Sequence, residues 1–132
     1  MNLTLYSYWR ATAPYRVRIG LRLKGLDYSY VGVNLLKGEQ HAAGYVEARN
    51  AQHLTPALEA DGRVLTQSLA ILEWLEEVHP HPALLPKDVF DRATVRAMAA
   101  IIACDIHPLN NMRIQKALTD LGVDAPGREA WS

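Results

Sequence analysis

The sequence predicts an α/β unit followed by the opening helices of an all-α segment, and three observations carry that expectation. Strand-like runs alternate with helical stretches over residues 1–80. A break rich in proline follows, His79-Pro-His-Pro-Ala-Leu-Leu-Pro-Lys87. Beyond it, residues 88–132 carry helical spacing alone, much of it apolar. The expected division is therefore 1–80, a linker at 81–87, and 88–132. With 49% hydrophobic and 21% charged residues, a chain of 132 has the material for a core.

Taken in order, Leu3 to Tyr8 reads as a first strand, with the β-formers Tyr6 and Tyr8 on one face. Pro14 suits the first turn of a helix and Gly25 its end. Between them, Tyr15, Val17, Ile19, Leu21 and Leu23 alternate with Arg16, Arg18, Gly20, Arg22 and Lys24, which is strand periodicity. On a helical wheel the same residues make two apolar stripes, so helix and strand both stay open there. Tyr28 to Val33 is a second strand, and Glu39 to Ala48 a loose helix or irregular segment. Thr55 to Glu59 starts a third strand, Asp61-Gly62 is a hairpin turn, and Val64-Leu65 returns. Gln67 to Val78 is an amphipathic helix, with Leu69, Ile71, Leu72, Leu75 and Val78 inward and Glu73, Glu76 and Glu77 outward. Another helix begins at Asp88 and is apolar nearly all round, so it expects neighbours. Pro108 should break it, and helical spacing resumes from Leu109 to Leu121 before Gly122. The chain stops at Ser132 without supplying those neighbours, which predicts missing helices or a covering second chain.

Fourteen basic residues balance fourteen acidic ones, so no global field draws in nucleic acid or an anionic membrane. The balance hides a gradient. Residues 1–36 hold five basic residues against Asp27 alone, while residues 37–80 hold three against seven acids. A basic first third suggests a small anionic ligand there; pairing of those bases with the acids of the middle third is the plain alternative. Met1-Asn2 runs straight into a strand and no apolar stretch could span a bilayer, so a cytoplasmic protein is expected. Cys104 stands alone, which excludes an internal disulfide or a thiolate zinc site, and its apolar helix predicts a buried, inert thiol. His79 and His81 lack partners nearby and read as loop residues; no metal is expected. There is no Cys-x-x-Cys, Gly-rich phosphate loop or Gly-x-Ser-x-Gly elbow.

Three local features point to a ligand. Arg10-Ala-Thr-Ala-Pro14 joins the first strand to a helix start, where free N–H groups and the helix dipole favour an anion near Thr12. Pro56 opens a strand, and a cis bond there would turn the Thr55 backbone outward toward an extended ligand. Gln67-Ser68 opens the amphipathic helix and suits a carboxylate. An ordinary cap or turn explains each alone; the three together, in this order, are less easily dismissed.

The stretch Tyr6 to Gly25 (Tyr-Ser-Tyr-Trp-Arg-Ala-Thr-Ala-Pro-Tyr-Arg-Val-Arg-Ile-Gly-Leu-Arg-Leu-Lys-Gly) resembles the amino-terminal signature of zeta-class glutathione transferases. Thr55-Pro-Ala-Leu58, Gln67-Ser-Leu-Ala-Ile-Leu-Glu-Trp-Leu-Glu-Glu77 and Leu84-Leu-Pro86 are similar to that class too. Arg92-Ala-x-Val-Arg96 and Ile102-x-x-Asp-Ile-His-Pro-Leu-Asn-Asn111 extend the likeness, most closely to the bacterial maleylpyruvate isomerases. The resemblance implies a thioredoxin-like glutathione-binding domain at 1–80, with the segment between Pro14 and Gly25 helical, then an incomplete all-helical domain and a homodimer.

It also implies roles. Gln67 and Ser68 would hold the γ-glutamyl carboxylate of glutathione, Thr55 before a cis Pro56 its cysteinyl backbone, and Gln52 and His53 its glycyl end. The class carries Ser-Ser-Cys or Ser-Ser-Ala where this chain has Ala11-Thr12-Ala13, so the first hydroxyl is absent. Thr12 and the first helix would then donate to the sulfur, with Tyr8 in reserve. Arg10, Asn111 and Arg113 would face a small anionic substrate, whereas His107 reads as a structural contact. The implied activity is cis–trans isomerisation of a maleylacetoacetate or maleylpyruvate by reversible thiolate addition. Two other outcomes remain: a non-catalytic glutathione-binding module that needs a partner, and a conjugating enzyme with the same site.

Overall fold

The computed structural model describes residues 1–131, which form two compact units divided between Pro86 and Lys87. In the first unit, β1 (Leu3–Ser7) buries Leu3, Leu5 and Ser7 and leaves Thr4 and Tyr6 half-covered. Then follow α1 (Thr12–Leu23), β2 (Ser29–Gly32), two short 3-10 turns, α2 (Ala43–Ala48), β3 (Ala57–Ala60), β4 (Arg63–Thr66) and α3 (Ser68–Val78). The sheet order is β2-β1-β3-β4. β1 runs parallel to β2, with α1 as the crossover, and antiparallel to β3, which pairs antiparallel with β4. Asp61 and Gly62 both take positive φ, 48° and 82°, as a tight hairpin turn requires.

The ambiguous segment is helix, for a packing reason. Pro14, Val17 and Leu21 fall three and four residues apart and are buried, while Tyr15, Ile19 and Leu23 form a second stripe exposed to solvent. The apparent alternation is these two stripes interleaved. α1 and α3 pack on one face of the sheet around Leu3, Leu5, Val17, Leu21, Leu58, Ile71 and Leu75. Gly20 permits their close approach, since a Cβ there would run into the Leu72 side chain.

Residues 81–86, whose prolines suggest a linker, are tied to this unit. The Lys24 side chain is wholly buried, and its Nζ lies 2.5 Å from Glu76 Oε2 and 2.7 Å from the Pro82 carbonyl. Glu76 in turn accepts from the Leu84 and Leu85 N–H groups at 2.9 and 3.2 Å. The same region contains a second cis bond, His81–Pro82.

The second unit opens with α4 (Val89–Ala100), capped by Asp88 Oδ1, which accepts from Phe90 and Asp91 N–H. The chain does not stay α-helical up to Pro108. It widens into a π-helical turn at Ile101–Ile106, which His107 closes by donating to Ile102 O. Pro108 lacks the N–H that would continue the α ladder. α5 (Met112–Asp120) starts later than the spacing from Leu109 suggests and ends at Gly122, φ +83°. An unexpected α6 (Ala125–Trp131) follows; Asp124 Oδ1 accepts from Gly127 N–H, so Asp-Ala-Pro-Gly is a helix start. Trp131 Nε1 donates to Leu109 O at 2.9 Å. No described residue of this unit is buried, and Cys104, expected inside, is exposed because nothing in the unit covers its helix. Among the described residues no helix is long and apolar enough to cross a membrane.

Burial pushes the Glu76 carboxyl up, but the Lys24 ammonium and the Leu84 and Leu85 N–H groups outweigh it and hold it below its ordinary range. A depressed carboxyl stabilises the fold fully above its unfolded pKa and loses that contribution as pH falls through the folded one. Resistance to urea unfolding should therefore fall as pH drops through and below the usual carboxylate range. Glu76→Gln should be less stable at pH 7 and show a flatter acid limb; an identical pH profile would refute the clamp.

Candidate functional site

Strand register gathers the site. Tyr6 faces Ala57, and Ala57 faces Thr66. The chain leaving β1 (Tyr8 to Thr12), the chain entering β3 (Thr55-Pro56) and the chain leaving β4 (Gln67-Ser68) therefore share one end of the sheet. β1 and β4 both run antiparallel to β3, and each leads into a helix. The N-termini of α1 and α3 thus both lie at this end, and neither has an acidic residue in its first turn. Two helix dipoles and their unpaired first-turn N–H groups make it an anion-attracting edge.

At the first corner, Ala11 N–H donates to Tyr8 O, and Ala11 is the N-cap of α1, with no side chain able to cap. Thr12, for which an ordinary cap is the plain alternative to an anion contact, is the first helical residue and is exposed. Arg10 is also exposed, its guanidinium 5.5 Å over the Trp9 ring, while Arg18 donates to Trp9 O at 2.9 Å and fastens the loop to α1. Tyr8 is buried.

At the second corner, the Thr55–Pro56 bond is cis. Thr55 is half-buried, and among the described residues its N–H and C=O form no backbone hydrogen bond. The preceding carbonyl is fully engaged: Leu54 O accepts from Tyr45 Oη at 2.6 Å and from Asn50 Nδ2 at 3.0 Å. Burial, with Tyr6 nearby, pushes the Tyr45 phenol up to about 12, so it remains a donor across the working pH range. Asn50 Oδ1 accepts from Gln52 N–H at 2.9 Å. His53 sits at φ 58°, its Nδ1 within 3.1 Å of His41 Nδ1.

At the third corner, Gln67 takes φ 66° and ψ 112°, a strained conformation for a residue with a Cβ. Its Nε2 donates to Gln52 Oε1 at 2.7 Å, which links the second and third corners directly. The amphipathic helix starts one residue later than its pattern suggests, at Ser68, which is buried and accepts from Arg16 Nη1 at 3.3 Å. Arg16 is the site residue the sequence hides: only in helical phase does it fall on the side of α1 that meets α3.

Gln52, His53, Thr55, Pro56, Gln67, Ser68, Arg10 and Thr12 thus come from three corners of one sheet end. Asn111 and Arg113 belong to the second unit. There Asn111 caps α5, accepting from Arg113 and Ile114 N–H and donating to Pro108 O, and the Arg113 side chain is exposed. A shallow cleft of about 330 Å³ lies elsewhere, between the sheet and α2, lined by Tyr6, Val33, Tyr45 and Arg49 among others. No candidate residue lines it, and the Arg49 ion pair to Glu59 marks it as the seat of α2.

A βαβ crossover and a ββα ending, with a cis proline opening the central antiparallel strand, define a thioredoxin-like domain. Residues 1–77 match the family described as Glutathione S-transferase, N-terminal domain. The chain is 49% identical over 130 residues to the maleylpyruvate isomerase of Ralstonia sp., covering 98% of itself and 61% of that protein. The holo structure of a bacterial zeta-class maleylpyruvate isomerase superposes at TM-score 0.92 with 48% identity, covering 97% of this chain and 60% of that one. Maleylacetoacetate isomerase from Anaeromyxobacter dehalogenans, solved with bound GSH, gives 0.82 and 47%, covering 98% and 61%. It has also been solved with bound dicarboxyethyl glutathione and citrate. The chain belongs to the glutathione S-transferase family, in the zeta class with the maleylacetoacetate and maleylpyruvate isomerases. It spans about three fifths of the length of these relatives.

The direct contact of Gln67 with Gln52 makes their substitutions non-additive. A double-mutant cycle of Gln52→Ala and Gln67→Ala in urea unfolding should give a coupling of about 0.5–1 kcal/mol. Additivity within error would mean that the two corners are independent.

Proposed function

We propose that this chain holds glutathione along the shared end of β1, β3 and β4, and serves the cis–trans isomerisation of a maleylacetoacetate- or maleylpyruvate-type substrate. The observation that carries the reading is the unpaired Thr55 backbone, set between two helix N-termini free of acidic residues. A tripeptide with a carboxylate at each end fits those groups. Its extended middle pairs with the Thr55 N–H and C=O as a strand pairs with a sheet edge. Its γ-glutamyl carboxylate meets Ser68, Gln67 and the first N–H groups of α3, and its glycyl end lies toward Gln52 and His53.

When bound, glutathione supplies a thiolate that adds reversibly to the cis double bond, so that the former double bond can rotate. The chain's part is electrostatic. The Thr12 hydroxyl and the N–H groups opening α1 donate toward the sulfur and favour its anionic form. Arg10 meets negative charge that develops on the substrate's carbonyl oxygen or rests on its carboxylate. Asn111 and Arg113 are the second unit's candidates for contact with the substrate. The reading takes 1–80 as the glutathione domain, 81–87 as linker and 88–132 as part of a helical domain, in a cytoplasmic homodimer acting on a small anionic molecule. The dicarboxyethyl glutathione in the Anaeromyxobacter relative supports the substrate class, because it joins two carboxylates to the tripeptide.

One observation favours a second reading, a glutathione-binding module without turnover: the α1 N-cap is an alanine, which offers the sulfur nothing. Calorimetry and a product assay separate them. Glutathione should bind the wild type, and Ser68→Ala should bind about ten-fold more weakly; equal heats would overturn the site. With glutathione present, fumaryl product should form from the maleyl substrate. Thr12→Val should then lower kcat about ten-fold or more, and Ala11→Ser should raise it. Binding without product in the wild type would leave the module.

A further inference from the structure

We infer that Asn50 is a positioning residue of this site, a buried clamp that aims the Thr55 N–H and the Gln52 side chain. The inference rests on the glutathione reading above. Asn50 is 3% exposed, so it acts through its neighbours. Its Oδ1 accepts from Gln52 N–H at 2.9 Å, and its Nδ2 donates to Leu54 O at 3.0 Å. The two bonds span His53, whose own N–H donates to Asn50 O at 3.0 Å, and close residues 50–54 into a tight turn. Each end of the clamp then reaches the site. Gln52 carries its amide to Gln67 at 2.7 Å. Leu54 C=O and Thr55 N–H belong to one planar peptide group and point in opposite directions when that bond is trans. Asn50 and Tyr45 together draw the Leu54 carbonyl inward, and this turns the Thr55 N–H outward toward a ligand.

Asparagine suits the position because a single rigid amide supplies both a donor and an acceptor. Aspartate would keep the acceptor for Gln52 but set an oxygen against Leu54 O, favouring rotation of the Leu54–Thr55 peptide plane. Tyr45→Phe removes the other donor to that carbonyl and leaves Asn50 in place.

Isothermal titration of the full chain with glutathione, well below the unfolding midpoint, tests the assignment. Asn50→Asp should bind about ten-fold more weakly or worse. Tyr45→Phe, which leaves the Asn50 donor on Leu54 O and the Gln52 bond intact, should weaken binding less; an equal or greater loss in Tyr45→Phe would overturn the role of Asn50 as the clamp. Gln52→Ala should weaken binding less in the Asn50→Asp background than in the wild type, a non-additivity that a purely structural residue would not produce. Near-UV circular dichroism checks that the variant is folded; should Asn50→Asp fail, Asn50→Ser is measured in its place. Wild-type affinity in a folded variant overturns the positioning role alone. Absence of heat in the wild type overturns the glutathione reading, and this assignment with it.

Discussion

Everything at the candidate site depends on the packing of α1 and α3 against the same face of the sheet. The two helices follow β1 and β4, and those strands point the same way because both are antiparallel to β3. Helices that return along the sheet from parallel strands must start at one common end. Their dipoles therefore add, and their unpaired N–H groups converge. Gly20, where a larger residue would meet Leu72, lets the pair pack closely enough for Arg16 of α1 to reach Ser68 of α3. The anion-attracting edge is in this sense a product of the core: Leu21, Ile71 and Leu75 fix the helices, and the helices fix the field.

That dependence explains which parts of the fold were legible in the sequence. Turn chemistry is local, so Asp61-Gly62, the Asp88 cap and the stop at Gly122 could be read from single positions. Residues that open elements were readable for the same reason, which is why Thr55-Pro56 and Gln67-Ser68 stood out. What periodicity left open was phase, which the resemblance resolves as helix. Two interleaved stripes on α1 imitated a strand, because apolar residues lay at every second position for structural reasons of their own. Arg16 was lost in that ambiguity. Cys104 and α6 failed differently. Cys104 was assigned to the interior from the apolarity of its helix, but no element of its own unit lies over that helix. Asp124-Ala-Pro-Gly raised no helix expectation, although Asp followed by Pro in a first turn is a start signal.

The first corner shows why residue type and residue role must be kept apart. The plain alternative for Thr12, an ordinary cap, does not hold, because Ala11 occupies the cap with no side chain to offer. An unused hydroxyl on the first helical residue is less useful to the fold than a cap, which typically contributes about 1 kcal/mol. It is, however, free for a ligand, and so are the N–H groups that a serine or aspartate cap would have occupied. Loss of one hydroxyl at this corner therefore weakens one donor and leaves others open. The corner thus presents a helix N-terminus and an exposed hydroxyl at Thr12, with no capping side chain in front of them.

Gln67 carries the argument furthest. A glutamine at φ 66° and ψ 112° lies outside the regions open to residues with a Cβ, at a cost of order 1–3 kcal/mol. Such a conformation persists only if its surroundings fix it from several directions. Here the β4 ladder holds Thr66 on one side, burial holds Ser68 on the other, and the amide of Gln67 is bound to Gln52. The bend turns the chain sharply enough for Ser68 to enter the interior while Gln67 stays at the surface beside it. The strained bend thus sets two adjacent residues of opposite burial at the opening of α3.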